Sequence, residues 1–487
     1  MKGDKKEPKV AGVITAQKCG LVPSTSEGVN FLHRSFGVRR FCYNKTLEMY
    51  FFLLDAKSAG LDIGFFEDEH YTKELKALSE RDDYEVKPYQ PNISENVVRK
   101  LFNQIKEDFY PFVTQVSKCV AQEASIQAGI TLQRYFAKEC GRPKFKSKKD
   151  GQSFKISNDH IKFVKNEING KDVWLLKLPC SNALFRPTEE PKHITSPDKY
   201  RLLSATVRYE HYKYFVSFSY EIITPLKEIY PQVDNQDSVG IDLGIKDLMV
   251  LSNGIVVSSL NPLRNAIKRL KRLQRRLGRK RHLNEDKVSN RYNKLKEQIN
   301  KLHYYIANQR KDLLNKVTTS LVQNYKYVSI EDLAVANMMK NHCLARAIAD
   351  CSWSMFRRML EYKARLYGSK IIVIDRYTAS SKTCFTCKKV NKDLTLNDRE
   401  WSCTCGAIHH RDYNAAKNIE SVGIETLVKI TGLGESFSPV YRQTPGYVEG
   451  LSLKLRNSMG SLKSLVTVLP LIQPSLSTTC SRVDLSS

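Results

Sequence analysis

Long apolar runs are absent from this 487-residue sequence. No stretch approaches the roughly 18–20 residues that a membrane-spanning helix needs, so an integral helical membrane protein is excluded and no membrane partner is expected. The opening residues, MKGDKKEPK, carry no apolar segment of the kind found in a signal peptide. We therefore expect a cytoplasmic protein whose thiols stay reduced. No internal repeat is evident. Eight of the 12 cysteines are scattered (Cys19, Cys42, Cys119, Cys140, Cys180, Cys343, Cys351 and Cys480) and read as ordinary thiols rather than a disulfide framework. Positive charge, by contrast, is in large excess: 78 Lys and Arg stand against 51 Asp and Glu, a formal charge of +27. A folded chain this basic points to a polyanionic partner, most commonly nucleic acid. A hydrophobic content of 41%, with 24 Tyr and 20 Phe, is enough to build cores, and the length suits several domains.

Residues 10–21 alternate like a strand, and a helical pattern begins at Ser26. Pro88, Pro91 and Pro111 punctuate further helical stretches, which together predict a helical domain over 41–140. The segment 141–157 is basic and turn-rich. HIKFVK, DVWLLKLP, RLLSATVRYE and YKYFVSFSYEII then read as short strands of a small barrel or sheet that ends in a linker near residue 237. An Asn253-Gly254 hairpin follows. Over 262–324 the spacing predicts two helices, with one apolar stripe on Leu263, Ile267, Leu270, Leu273 and Leu277 and another on Tyr292, Leu295, Ile299, Leu302 and Ile306. YKYVSIEDL and KIIVID read as strands flanking a helix over 352–368. Beyond about residue 425 the Ser-, Thr- and Pro-rich chain predicts a poorly ordered tail.

Three carboxylates stand out: Asp242 in GIDLGIK, Glu331 in YVSIEDL and Asp412 in HRDYNAAKNI. Period-2 alternation sets Ile241 and Leu243 against Gly240, Asp242 and Gly244, and the flanking glycines read as an open surface for a phosphate backbone. The same alternation selects Glu331 over Asp332 as the inward acid. Asp412 shares a helix face with Ala415, Ala416 and Ile419 that should pack on the sheet. Taken singly, each acid has an ordinary structural reading: Asp412 as an N-cap, or Asp247 in place of Asp242. Together, on two strands and a helix, they can hold a pair of divalent cations and hydrolyse a phosphodiester.

Cys384 and Cys387, then Cys403 and Cys405, are separated by a loop whose spacing suits a structural, tetrahedral Zn²⁺ site. The second pair is a residue short of C-x-x-C, so His409 and His410 are alternative ligands. Between 264 and 281 lies a run of cations without a single acid, comprising Arg264, Lys268, Arg269, Lys271, Arg272, Arg275, Arg276, Arg279, Lys280 and Arg281. Phosphates would relieve its self-repulsion, and a plain helical hairpin is the structural alternative. KFKSKK (144–149) is a second, less specific basic segment.

GIDLGIK, SIEDLAVANMMKN, LARAIADCSWSMFRRMLEYKARLYG, SSKTCFTC and WSCTCGAIHHRDYNAAKNI closely resemble TnpB, as do FGVRRFCYNKTL and GRPKFKSKKDGQSFKIS upstream. TnpB proteins are transposon-associated RNA-guided nucleases related to the compact type V CRISPR effectors. The resemblance implies a multidomain α+β fold. A wedge-like β-barrel (1–40 and 141–236) would carry an inserted helical recognition domain (41–140). An RNase H-like RuvC α/β domain (237–383 and 408–425) would follow, with a zinc knuckle at 384–407 and a disordered tail at 426–487. It further implies a single RuvC site on Asp242, Glu331 and Asp412 with two Mg²⁺ ions, and Zn²⁺ on Cys384, Cys387, Cys403 and Cys405. The partners would be a transposon-derived guide RNA and target double-stranded DNA cut beside a short adjacent motif, the protein acting as a monomer with its RNA in a prokaryotic cytoplasm. The basic helix would follow the heteroduplex, and Arg411 would reach a phosphate, unless it is a simple surface residue. Two neighbouring readings are a guided repressor that does not cut and a CRISPR-linked effector. A single-strand transposase is disfavoured, because no two of the ten histidines form a His-x-His pair.

Overall fold

The computed structural model describes residues 12–58, 95–168, 170–230, 237–280, 289–395, 398–431 and 464–468. The chain forms two units, Met1–Pro225 and Leu226–Ser487. The boundary precedes the expected linker near 237 because Tyr230 packs on Tyr367 of the second unit, with ring centroids 5.0 Å apart.

In the first unit, β1 (Ile14–Pro23), β2 (Gln152–Ser157), β3 (Lys162–Ile168), β4 (Lys171–Lys177), β5 (Leu184–Pro187), β6 (Tyr200–Glu210) and β7 (Lys213–Ile222) form one sheet in the order β2-β6-β7-β1-β5-β4-β3. Its pairings are antiparallel, and none closes β2 onto β3 among the described residues. Three long helices accompany it among the described residues: α1 (Ser26–Ser58), α2 (Glu95–Phe109) and α3 (Lys118–Phe136). The expected domain break at residue 41 is not there. α1 runs through it, because its first half packs on the sheet (Phe36 to Phe154, 5.3 Å) while its second half packs on α3, where Thr46 Oγ1 and Ser125 Oγ lie 2.9 Å apart. Val120, Ala124, Ala128 and Leu132 bury one face of α3 at a helical repeat of four. The basic 144–149 loop is pinned rather than free. Asn44 both donates to and accepts from the Lys146 backbone (2.9 and 2.7 Å), and Lys146 Nζ sits 3.5 Å from the Tyr43 ring centroid.

The second unit is built on a six-stranded sheet, β12-β11-β8-β9-β10-β15, made of β8 (Ser238–Asp242), β9 (Asp247–Leu251), β10 (Ile255–Ser258), β11 (Tyr327–Glu331), β12 (Lys370–Ile374) and β15 (Val466–Val468). β8, β11 and β12 are parallel, and the β9–β10 hairpin turns at Gly254 with φ +89°, which a Cβ would strain. One sheet face, with Val239, Ile241, Val328 and Ile330, meets α5 (Asn290–Asn324) and α7 (Trp353–Tyr367) in the main core. The other face carries α8 (Arg411–Thr431). Two parts of the expected disordered tail are therefore structured: α8 continues to Thr431, and Val466, 2% exposed, adds an edge strand opposite Val257. Three β-prone residues against an exposed strand edge suffice for this. The rest of the tail lies outside the described residues.

α4 (Pro262–Arg279) and α5 form the expected hairpin, joined by Leu270, Leu273, Leu295, Ile299, Leu302 and Ile306. Asp350, on the short helix α6 (Ala345–Cys351), anchors it. This carboxylate accepts from the Leu263 and Arg264 backbone N–H groups (3.1 and 3.0 Å) and from Arg310 (2.9 and 2.7 Å). It caps α4 from outside the helix, since Asn261 supplies no side-chain cap. Asp350→Ala should cost about 3–5 kcal/mol in urea unfolding, because it strands the Arg310 guanidinium and opens the cap. Lys363, buried among the Asn315 carbonyl and the Thr318 and Thr319 hydroxyls, is lowered by burial to about 8. Below that pH the folded protein holds an unfavourable buried charge, and between about 8 and the free-lysine value near 10.4 only the unfolded chain retains the proton. Its contribution to stability therefore rises with pH across this window, and Lys363→Met should remove that slope in denaturation curves at pH 8 and 10.

Candidate active site and cysteine cluster

Close approach of α8 to the sheet sets the site. A Cβ on Gly240 would lie 2.1 Å from the Ala416 carbonyl oxygen, and one on Gly423 would lie 2.0 Å from Ser329 Oγ. Gly240 thus admits a helix, not a phosphate backbone, which corrects the open-surface reading. Asp242 and Glu331 end β8 and β11 on the face that α8 covers, and Asp412 lies in the first turn of that helix.

The three acids feel one another. Desolvation pushes Asp242 up to about 8, the Glu331 and Asp412 charges push it the same way, and Arg411 and Arg399 oppose them. Glu331 is also raised by burial, against the bond donated by Ser380 Oγ to its Oε1 (2.6 Å). Asp412 is held by Arg399 (Nη1 to Oδ2, 2.7 Å) and by Arg411 (Nε to Oδ1, 3.4 Å). Asp332 is excluded from this group, since Arg357 and Arg376 bind it on the other side of the strand end and hold it below the usual carboxylate range. Asp247 is likewise elsewhere, accepting from Ser258 Oγ at 3.0 Å beside the hairpin. An all-carboxylate donor set with surplus negative charge suits a hard divalent cation such as Mg²⁺.

Cys384, Cys387, Cys403 and Cys405 converge, all four sulfurs within 4.8 Å of one another, the only such group of His, Cys, Asp or Glu donors among the described residues. The acids are therefore spread wider than the thiols. Lys388, with φ +60°, follows the first pair, and Gly406, with φ +86°, follows the second and leads from the β13 strand (Glu400–Ser402) into β14 (Ile408–His410). The Cys405 backbone N–H lowers Cys403 to about 6, which favours its thiolate, while burial pushes the Cys384 thiol up to about 12. His409 Nε2 stands 3.0 Å from Cys384 Sγ but outside the four-sulfur group, and His410 is not in that group either. The sulfur set suits tetrahedral Zn²⁺.

Sequence reading missed the links between these two centres. Asn414 accepts from Phe385 N (2.9 Å) and donates to the Thr383 carbonyl (2.7 Å), and Asn418 donates to the Ser380 and Thr383 carbonyls (2.9 and 2.6 Å). Two asparagines four apart on the helix of Asp412 were the available signal. Arg399 precedes β13, so the segment between the cysteine pairs reaches back to Asp412. On α4, Arg264, Lys268, Arg269, Lys271, Arg272, Arg275, Arg276 and Arg279 are exposed, Lys280 is half-buried, and none pairs with a carboxylate among the described residues. Arg281 lies outside the described residues.

Comparison with known proteins identifies the family. Residues 353–419 match the Cas12f1-like TNB domain and residues 217–342 match the family described as "Probable transposase". A Streptomyces pristinaespiralis protein named "Putative RNA-guided DNA endonuclease" is 35% identical over 321 residues, 66% of this chain and 75% of its own. The chain belongs to the TnpB family of RNA-guided DNA endonucleases. InsQ of Escherichia coli (strain K12), with the same description, is 30% identical over 59% of this chain and 70% of its own. TnpB-like protein L79 of Acanthamoeba polyphaga mimivirus is 28% identical over 51% and 48%. Among solved structures, a Cas12f1–sgRNA–target DNA complex aligns over 84% of this chain and 99% of its own at 15% identity and a TM-score of 0.47. The mixed α/β, multidomain character is that expected of a TnpB chain, and no described helix is long and apolar enough to cross a membrane.

Proposed function

We propose that this TnpB chain cuts target DNA paired with a transposon-derived guide RNA, through one RuvC-type, RNase H-like site on Asp242, Glu331 and Asp412. The observation that carries the reading is the placement of these acids at the ends of two parallel strands and in the first turn of the helix that covers them. Two Mg²⁺ ions held there would supply a nucleophile at neutral pH and charge stabilisation at the leaving oxygen. Around them, this chain's own groups have defined tasks. Asp242, raised to about 8 by burial, would have to ionise to hold a cation, so cation affinity should climb with pH until that carboxyl is ionised. Ser380 orients Glu331, while Arg399 and Arg411 hold Asp412 and offer guanidinium donors to a phosphate entering beside it.

Zn²⁺ on Cys384, Cys387, Cys403 and Cys405 would be structural, fixing the segment that carries Arg399. The exposed cations of α4, from Arg264 to Arg279, would run along the guide–target backbone without reading its sequence. We assign the first unit's sheet to a wedge-like barrel and α1–α3 to guide and target recognition. We also infer a monomer bound to one RNA in a prokaryotic cytoplasm. The intact triad favours cleavage over a guided repressor. Sequencing RNA that co-purifies with the protein, then supplying a matching duplex, tests the proposal. Cleavage should require both the RNA and Mg²⁺, and cutting that persists after nuclease removal of the RNA would refute guidance.

A further inference from the structure

Spacing separates the atoms that can share one zinc ion from one that cannot. Zn–S bonds of about 2.3 Å and Zn–N bonds of about 2.0–2.1 Å, at tetrahedral angles, put two sulfur ligands about 3.8 Å apart and a sulfur and a nitrogen ligand about 3.6 Å apart. Cys384 Sγ and Cys405 Sγ stand 3.8 Å apart, and Cys387 Sγ and Cys403 Sγ 3.5 Å apart, close to the sulfur–sulfur figure. His409 Nε2 stands 3.0 Å from Cys384 Sγ, too near for two ligands of one ion and within hydrogen-bond reach. The β13–β14 hairpin aims its ring. Trp401 and His409 are opposite one another in the hairpin register, and their ring centroids lie 4.8 Å apart. Trp401 and Cys384, 7% and 0% exposed, share one apolar group. Cys384 is therefore closed to water, whereas Cys405 is exposed.

We propose that His409 donates its Nε2–H to the Cys384 sulfur and so strengthens the zinc site without binding the ion. The inference rests on the zinc reading above and adds to it a positioning residue that acts through Cys384. Four thiolates around one divalent cation leave surplus negative charge, and buried charge needs hydrogen-bond donors. Cys405 can take them from water, but Cys384 must take them from the protein. The Cys387 backbone N–H, 3.5 Å from the Cys384 sulfur, is one, and His409 supplies a second. A metal-bound thiolate only accepts, so the ring carries its proton on Nε2. The short pair of Cys403 and Cys405 is thus complete as ligands, and the histidine that follows it is a support rather than a substitute.

The test uses the full-length protein loaded with zinc and reads its competition for the metal with a chromogenic chelator. His409→Phe keeps a ring against Trp401 and removes the donor, whereas His409→Gln keeps an N–H. Zinc affinity should fall about 10–100-fold in His409→Phe, the usual cost of losing a group that supports a ligand, and His409→Gln should recover most of it. With Co²⁺ in place of zinc, the thiolate-to-metal charge-transfer band should report four thiolates in wild type and in His409→Phe alike. Equal losses in the two variants, or no loss in either, overturn the hydrogen bond. A wild-type cobalt spectrum of three thiolates and one nitrogen overturns it by making His409 a ligand. If His409→Phe fails to fold, nitrogen-15 NMR of histidine-labelled, zinc-loaded wild type decides: a protonated Nε2 is expected, and a bare one overturns the proposal. A wild-type protein that takes up neither zinc nor cobalt at its cysteines overturns the zinc reading itself.

Discussion

Asp242→Ala should abolish DNA cleavage while leaving binding of guide and target in place. The expected loss is on the order of a thousandfold or more, equivalent to about 4 kcal/mol of transition-state stabilisation. Asp242 occupies the central position among the acids: it ends β8, faces α8, and is the group on which the charges of Glu331 and Asp412 both act. Its removal also deletes a carboxyl that burial raises, so the folded state should not be weakened. Single-turnover cleavage beside a filter-binding assay separates the two effects. An Asp242→Ala protein that cuts at the wild-type rate would show the assignment to be wrong.

Loss of the zinc proposed for the cysteine cluster should be equally severe by another route. In small zinc domains the metal supplies about 10–16 kcal/mol of apparent folding free energy. Around the cysteine cluster, among the described residues, only Cys384, Leu394 and Trp401 form a buried apolar group, too small to hold the loop without a metal. Stripping the ion, or Cys384→Ser, should loosen the segment, release Arg399 from Asp412 and reduce cleavage to the level of an active-site variant. The sheet and α4–α5 hairpin, which have their own cores, should survive by circular dichroism. Elemental analysis should find one zinc per chain, and a metal-free protein of full activity would contradict the account.

What was legible in the sequence followed from local periodicity. Alternation in YVSIEDL places Tyr327, Ser329 and Glu331 on one face, and the structure puts that face under α8, with Tyr327 packed against Leu427. Most of the two stripes of the 262–324 hairpin emerge as its shared core, with Ala266 rather than Ile267 completing the contact and Tyr292 outside it. Tertiary proximity was not legible. Gly240 looks like an open approach for phosphate until α8 is seen 2.1 Å from where its Cβ would be. Arg399 is one charge among many in a loop until the fold carries it to Asp412. Val466–Val468 is too short to stand out in a Ser-rich tail, yet the open edge of β10 recruits it. The continuity of α1 past residue 41 also depends on a second packing partner, α3, far along the chain.

Divalent-ion stoichiometry tests the central claim most directly. Mn²⁺ titrated into the purified protein and followed by electron paramagnetic resonance should show two interacting ions per chain, and Asp242→Ala, Glu331→Ala and Asp412→Ala should each disrupt the pair. Two ions bound equally well in all three variants would mean that these carboxylates do not meet over a shared metal site.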